Sequence, residues 1–159
     1  MLKLVGICIL LFASILISRE LISRRKRRLV LCEELLRFVS FLRLQIGCFL
    51  RPVSEVVALF RSDEFSACGF FPLDSGDLGH AFSSSDAPEI VGAECARVAC
   101  SLFSSLGSGY LDDEVKLIDA HRAQLSELVD KEREETVRQV RLIRTLTAAI
   151  SLGVIILII

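Results

Sequence analysis

The chain is poor in the patterns that catalysis needs. Its six cysteines, Cys8, Cys32, Cys48, Cys68, Cys95 and Cys100, form no Cys-x-x-Cys pair and have no histidine at ligand spacing, which argues against a metal centre. The two histidines, His80 and His121, lack a clustered set of ligands, and no Gly-x-Ser-x-Gly nucleophile motif occurs. Gly107-Ser108-Gly109 has neither the preceding strand, the lysine nor the full spacing of a phosphate loop, so it reads as a helix-ending turn. Aromatic residues make up only 7% and the net charge is −1, which excludes a nucleic-acid binder driven by overall basicity. No catalytic residue, cofactor or metal is expected, and the cysteines read as free, buried, structural residues.

What is present is apolar. The 159 residues are 52% hydrophobic with a mean hydropathy of +0.55, too short for two large cores and tilted toward lipid. Charge is segregated along the chain. Arg19 to Arg28 holds six basic residues and one acidic, Leu29 to Gly109 five and ten, and Tyr110 to Arg144 seven and nine. A basic knot is therefore followed by an acidic body.

Leu4 to Ser18 carries no charge for fifteen positions; as a helix it reaches about 22 Å, against a hydrocarbon core of about 30 Å. Lys3 and Arg19 flank it and can extend to headgroups, so a slightly thinned bilayer closes the gap. A cleaved signal peptide is the rival reading, but no small-x-small cleavage pattern follows, and Arg24, Arg25, Lys26, Arg27 and Arg28 resist translocation. Thr145 to Ile159 is a second uncharged stretch, preceded by Arg138, Arg141 and Arg144, whose spacing keeps them on one broad helical face before lipid phosphates. A buried core helix is the alternative for this segment. With cations on the inner flank of both runs, the expectation is a two-pass membrane protein whose middle is cytoplasmic. The basic run could also meet nucleic acid, but no aromatic residues interleave with it, and phospholipid is the better phosphate source.

Between the anchors the pattern is helical. Leu31, Leu35, Phe38, Leu42, Ile46 and Phe49 recur at steps of three and four, with Glu33, Glu34, Arg37, Arg43 and Gln45 off that stripe. Pro52 ends this helix or opens a short one over 52–60, with Val53, Val56, Val57 and Phe60 apolar. Residues 66–88 are rich in Ser, Gly, Asp and Pro and are expected to be irregular, with Phe65, Phe70, Phe71 and Phe82 docking parts of the connection. A helix over 89–106 packs Val91, Cys95, Val98, Ala99 and Leu102 and stops at Gly107. The last helix starts near Asp112 or Asp113 and runs to Arg144 or on into the apolar tail. Its apolar line is Val115, Ile118, Leu125 and Val129, broadened by Leu117 and Leu128, interrupted by Arg122, and thin until Val137 and Val140.

Asp112, Asp113 and Glu114 at that helix start suit its dipole and cap free N–H groups. A small membrane-bound regulator or enzyme using the Asp112–Glu114 cluster is the alternative reading. The charged middle, with Asp130, Lys131, Glu132, Glu134 and Glu135, implies solvent or a partner.

The order of features resembles the stage III sporulation protein AB family of spore-forming bacteria. The residues that carry it are Met1 to Gly6, the series Leu35, Val39, Leu42 and Ile46, then Pro52, Leu106-Gly107 and Leu152 to Ile159. The family usually has two Leu-Gly pairs in close succession; here Leu102-Phe103 stands where the first would fall. The resemblance implies a helical cytoplasmic domain similar to those of type II secretion inner-membrane platform proteins, in a channel-like assembly in the mother-cell membrane facing the forespore. The implied partners are the sporulation secretion-type ATPase, stage III sporulation protein AA, and other membrane proteins of the same complex, with self-association suggested. The expected fold is all-α: an antiparallel helical bundle over 24–144, flanked by membrane helices over 1–23 and 145–159.

Overall fold

The computed structural model describes residues 2–67, 91–107 and 110–158 and is all-helical over them. Its elements are α1 (Leu2–Phe49), α2 (Val53–Leu59), α3 (Asp63–Ala67), α4 (Ala93–Ser105) and α5 (Leu111–Ile158). The chain divides into two compact units: a core unit, Arg28–Glu132, and a terminal unit of Met1–Arg27 with Arg133–Ile159. The expected body of 24–144 is wider than the core unit at both ends.

The core unit is built on the stripe that the sequence presents. Leu31, Leu35, Phe38, Leu42 and Ile46 are all buried, as is Val39 beside them, whereas Phe49, expected on the same line, is exposed. The helix ends first: Leu50 takes a left-handed conformation (φ 53°) and the Arg51 N–H turns back to the Gln45 carbonyl at 3.3 Å. Arg51 precedes Pro52, whose ring disfavours helical backbone in the residue before it, so α1 stops here. Pro52, extended at ψ 147°, is the N-terminal boundary of α2 rather than its first residue, and α2 buries Val56 and Val57.

Ser62 caps α3. Its hydroxyl accepts the Phe65 N–H at 3.3 Å and donates to Glu34 at 2.9 Å, tying the short helix to α1 and seating Phe65 fully in the core. Only Ser66 and Ala67 of this helix fall in the stretch 66–88 expected to be irregular, and no element is expected over its first three residues; the Ser-Asp-Glu sequence at its N-terminus is the signal that would have found it. Phe70, Phe71, Phe82 and His80 lie outside the described residues. Phe60 joins an aromatic cluster, with ring centroids 4.8 Å from Phe38, 5.6 Å from Phe41 and 6.5 Å from Phe65, while the fully buried Phe38 also meets Phe103 at 5.8 Å. Such pairs add about 0.5–1.5 kcal/mol each beyond the area they bury.

α4 begins at Ala93 because Gly92 breaks the backbone with φ 89°, a conformation open to glycine alone. Cys95, Ala96, Ala99, Leu102 and Phe103 face the core, and Gly107 (φ 86°) follows its end. On α5, Ile118, Leu125 and Val129 are buried. Beyond them, in the terminal unit, the inward position falls to Thr136 and not to Val137, which is 57% exposed; steps of four, three and four from Leu125 reach 129, 132 and 136 and pass 137 by. α5 runs from Leu111 to Ile158 without a break at Arg144.

The two units use apolar residues oppositely. Among the described residues every buried hydrophobic residue belongs to the core unit, and Thr136 is the terminal unit's buried residue. Phe12, Ile15, Leu16, Ile17 and Leu21 on α1, and Leu142, Leu146, Ile150 and Leu152 on α5, are exposed. Among the described residues no helix is long and apolar enough to cross a membrane.

Candidate functional site

The basic knot is not one uniform surface. Arg24 pairs with Glu20 one helical turn away at 2.8 Å, both exposed, a contact worth well under about 1 kcal/mol in water. Arg25 is half-buried and Lys26 and Arg27 are exposed. Arg28 turns inward, and its Nη2 donates to Glu132 Oε1 at 2.6 Å, the two side chains 33% and 19% exposed. Arg138, Arg141 and Arg144 are all exposed on α5.

The charged middle of α5 is likewise divided. Asp130 lines a cleft of about 730 Å³ between α1 and α5, with Leu36, Ser40, Asp119, Arg122 and Glu127. Arg122 interrupts the apolar line at this cleft, and across from it Arg43 grips Asp119 with two hydrogen bonds of 3.1 and 3.3 Å. Lys131 lies 3.8 Å from Glu94 on α4. Glu132 is engaged by Arg28, so these two residues, expected on a lipid surface and a partner surface, are paired with each other inside the core unit. Glu134 and Glu135 are exposed.

Asp112, Asp113 and Glu114 do not converge. Glu114 accepts the Gly107 N–H at 2.9 Å, bridging the α4–α5 turn, and Asp113 faces Lys116 at 3.8 Å. The Asp113 and Glu114 N–H groups near the start of α5 both reach the Tyr110 carbonyl at 3.0 Å. His121 bonds through Nδ1 to the Leu117 carbonyl of its own helix at 2.9 Å. Among the described residues no three His, Cys, Asp or Glu side chains gather where they could hold a metal ion.

A polar cluster that sequence reading did not bring together sits where α1 meets the start of α4. Cys32 and Cys95 are buried side by side and unbridged. The Cys32 S–H donates to the Val91 carbonyl at 2.8 Å, the residue before Gly92, and Arg28 lies against Gly92. Hydrogen bonding to Cys95 and then burial push the Cys32 thiol far above its ordinary value, while the same hydrogen bond draws Cys95 down. The 63-residue separation hides this meeting; only the positions of Cys32 and Cys95 on two apolar stripes hint at it. Cys48 and Cys100 are likewise in no disulfide, but Cys48 is exposed and Cys100 half-buried rather than both lying in the core as expected.

No family model matches the chain, and no curated protein or solved structure matches it.

Proposed function

We propose that the chain is a non-enzymatic membrane platform: an antiparallel helical bundle held at the inner leaflet by its two apolar ends, serving as a scaffold in a secretion-like channel complex of sporulation. The observation that carries this reading is the contrast between the units: among the described residues the terminal unit exposes large apolar side chains and buries no hydrophobic residue, while the core unit holds every buried one. Lipid is the solvent in which that pattern is favourable. Each apolar run is short for a span, and Lys3 and Arg19 on one side and Arg144 on the other extend its reach by carrying their charges to the headgroups. The pairings Arg28–Glu132 and Arg43–Asp119, in which rising numbers on α1 meet falling numbers on α5, favour the antiparallel arrangement.

A platform supplies surfaces rather than reacting groups. Its partners on this reading are the sporulation secretion-type ATPase, stage III sporulation protein AA, and the other membrane proteins of the complex. The exposed Asp130, Lys131, Glu134 and Glu135 are the part of the charged middle that would face such a partner. Protease access in sealed inverted vesicles, combined with co-purification of the ATPase, tests the proposal. Cleavage of the central region from the cytoplasmic face and retention of the ATPase are expected. Recovery of the whole chain in the aqueous fraction, or a central region shielded on the far side, overturns it.

A further inference from the structure

The terminal unit contains a cleft of about 640 Å³ between its α1 and α5 segments. On α1 its wall is made by Ile15, Arg19, Ile22 and Lys26, a stripe at helical spacing; on α5 it is made by Ile143, Arg144 and Ala148. Three cations line it and no carboxylate does. Arg19, Lys26 and Arg144 make no ion pair among the described residues, in contrast to Arg24, which Glu20 holds outside the cleft.

Polarity changes along the cleft. Ile15 and Ala148 mark an apolar end, Arg19 and Arg144 the middle, and Lys26, two turns or about 10 Å beyond Arg19, a cationic end. Two of the three hydroxyls in the wall are engaged within the protein, and the third, Ser23, is exposed. Ser18 and Thr147 share a hydrogen bond of 2.8 Å, and each also bonds a carbonyl of its own helix, Ser14 and Ile143 respectively, at 2.8 Å. The three cations and the Ser23 hydroxyl are thus the polar groups left for an occupant, and that occupant is an amphiphile with an anionic head.

We propose that this cleft binds one anionic glycerophospholipid, its phosphate between Arg19 and Arg144, its headgroup toward Lys26, and an acyl chain along Ile15, Ile22 and Ala148. The volume lies in the range of about 300–1,000 Å³ for small-molecule sites. This site rests on the membrane reading above, and makes the lipid a selected component of the platform rather than mere solvent.

The test uses the full chain in detergent, offered equal amounts of phosphatidylglycerol and phosphatidylcholine, with retained lipid weighed by native mass spectrometry. One phosphatidylglycerol per chain is expected, preferred over phosphatidylcholine by at least about tenfold. Combining Arg19→Gln, Lys26→Gln and Arg144→Gln abolishes the preference. Combining Arg24→Gln, Arg138→Gln and Arg141→Gln, which removes the same charge outside the cleft, preserves it; circular dichroism of both variants establishes equal helicity. Equal loss in the two triple variants overturns the site in favour of general surface charge. So does a lipid-free dimer, or retention without headgroup preference. If those results come from a chain that resists carbonate extraction from membranes, the cleft fails while the membrane reading stands; extraction by carbonate defeats both.

Discussion

Replacing Gly92 by alanine tests the junction of α1, α4 and α5 in one substitution. Gly92 sits at φ 89° and ψ 146°, in a region of backbone space that costs a residue with a Cβ about 1–3 kcal/mol. The added methyl would also meet the Arg28 guanidinium, pressing on Nη2 and lying 2.9 Å from both Cζ and Nε. Arg28 is flexible enough to withdraw, but withdrawal breaks its 2.6 Å bond to Glu132. For a pair this sheltered, the loss is about 1–2 kcal/mol, between the values for exposed and fully buried pairs. Gly92→Ala is therefore expected to destabilise by roughly 2–5 kcal/mol, lowering the melting temperature by about 10–25 °C for a unit of this size. Thermal unfolding of the full chain in detergent, followed by circular dichroism, reads this out. In an Arg28→Ala background the methyl has nothing to displace, and only the backbone cost of about 1–3 kcal/mol remains. An identical cost in both backgrounds refutes the coupling; a cost below about 1 kcal/mol in the native background refutes the backbone assignment as well.

Phe38→Ala removes a fully buried ring of the aromatic cluster and is expected to cost about 3–5 kcal/mol; urea unfolding that moves by less than about 1 kcal/mol would mean the cluster is not packed as described. Leu50→Asn relieves a left-handed backbone at a side chain that is 69% exposed, so a gain of about 0.5–1 kcal/mol is expected in the same assay, and a loss would contradict it. Cys32 keeps its proton in the folded state because hydrogen bonding to Cys95 and burial raise its thiol far above the ordinary value of 9.0. The unfolded chain releases that proton above pH 9, so unfolding then releases a proton and stability falls as pH rises further. Unfolding midpoints from pH 7 to pH 10.5 should show that decline in the native chain and lose much of it in Cys32→Val.

The elements legible in the sequence are those with a local physical cause. Pro52 stops α1 through its effect on Arg51, Gly107 follows α4, and the steps from Leu31 to Ile46 fix the face α1 buries. What failed to read through depends on register and on distant partners. Phe49 belongs to the stripe by spacing but comes too late in the helix to meet the core. Val137 reads as part of the apolar line, whereas helical geometry counted from Leu125 turns Thr136 inward and leaves Val137 exposed. Arg28 and Glu132 read as surface charges because nothing local reveals a partner 104 residues away.

The energetics of the terminal unit bear most directly on the membrane proposal. Ten of its large apolar side chains are 46–65% exposed, Val137 among them. Fully burying such a side chain is worth about 1.5–3 kcal/mol, so half-burying ten of them is worth roughly 7–15 kcal/mol, comparable with the whole net stability of a typical domain. A penalty of that size in water demands a cover. Another copy of the chain would cover the apolar face but would bring Arg19, Lys26 and Arg144 close to their counterparts, with like charges repelling at the contact. A bilayer covers the same face and supplies phosphates at the depth where the cations begin. The two covers separate under chemical cross-linking in membranes of different composition. Contact between copies through the terminal unit should weaken as the fraction of anionic lipid rises, and cross-linking indifferent to lipid charge would favour a protein cover instead.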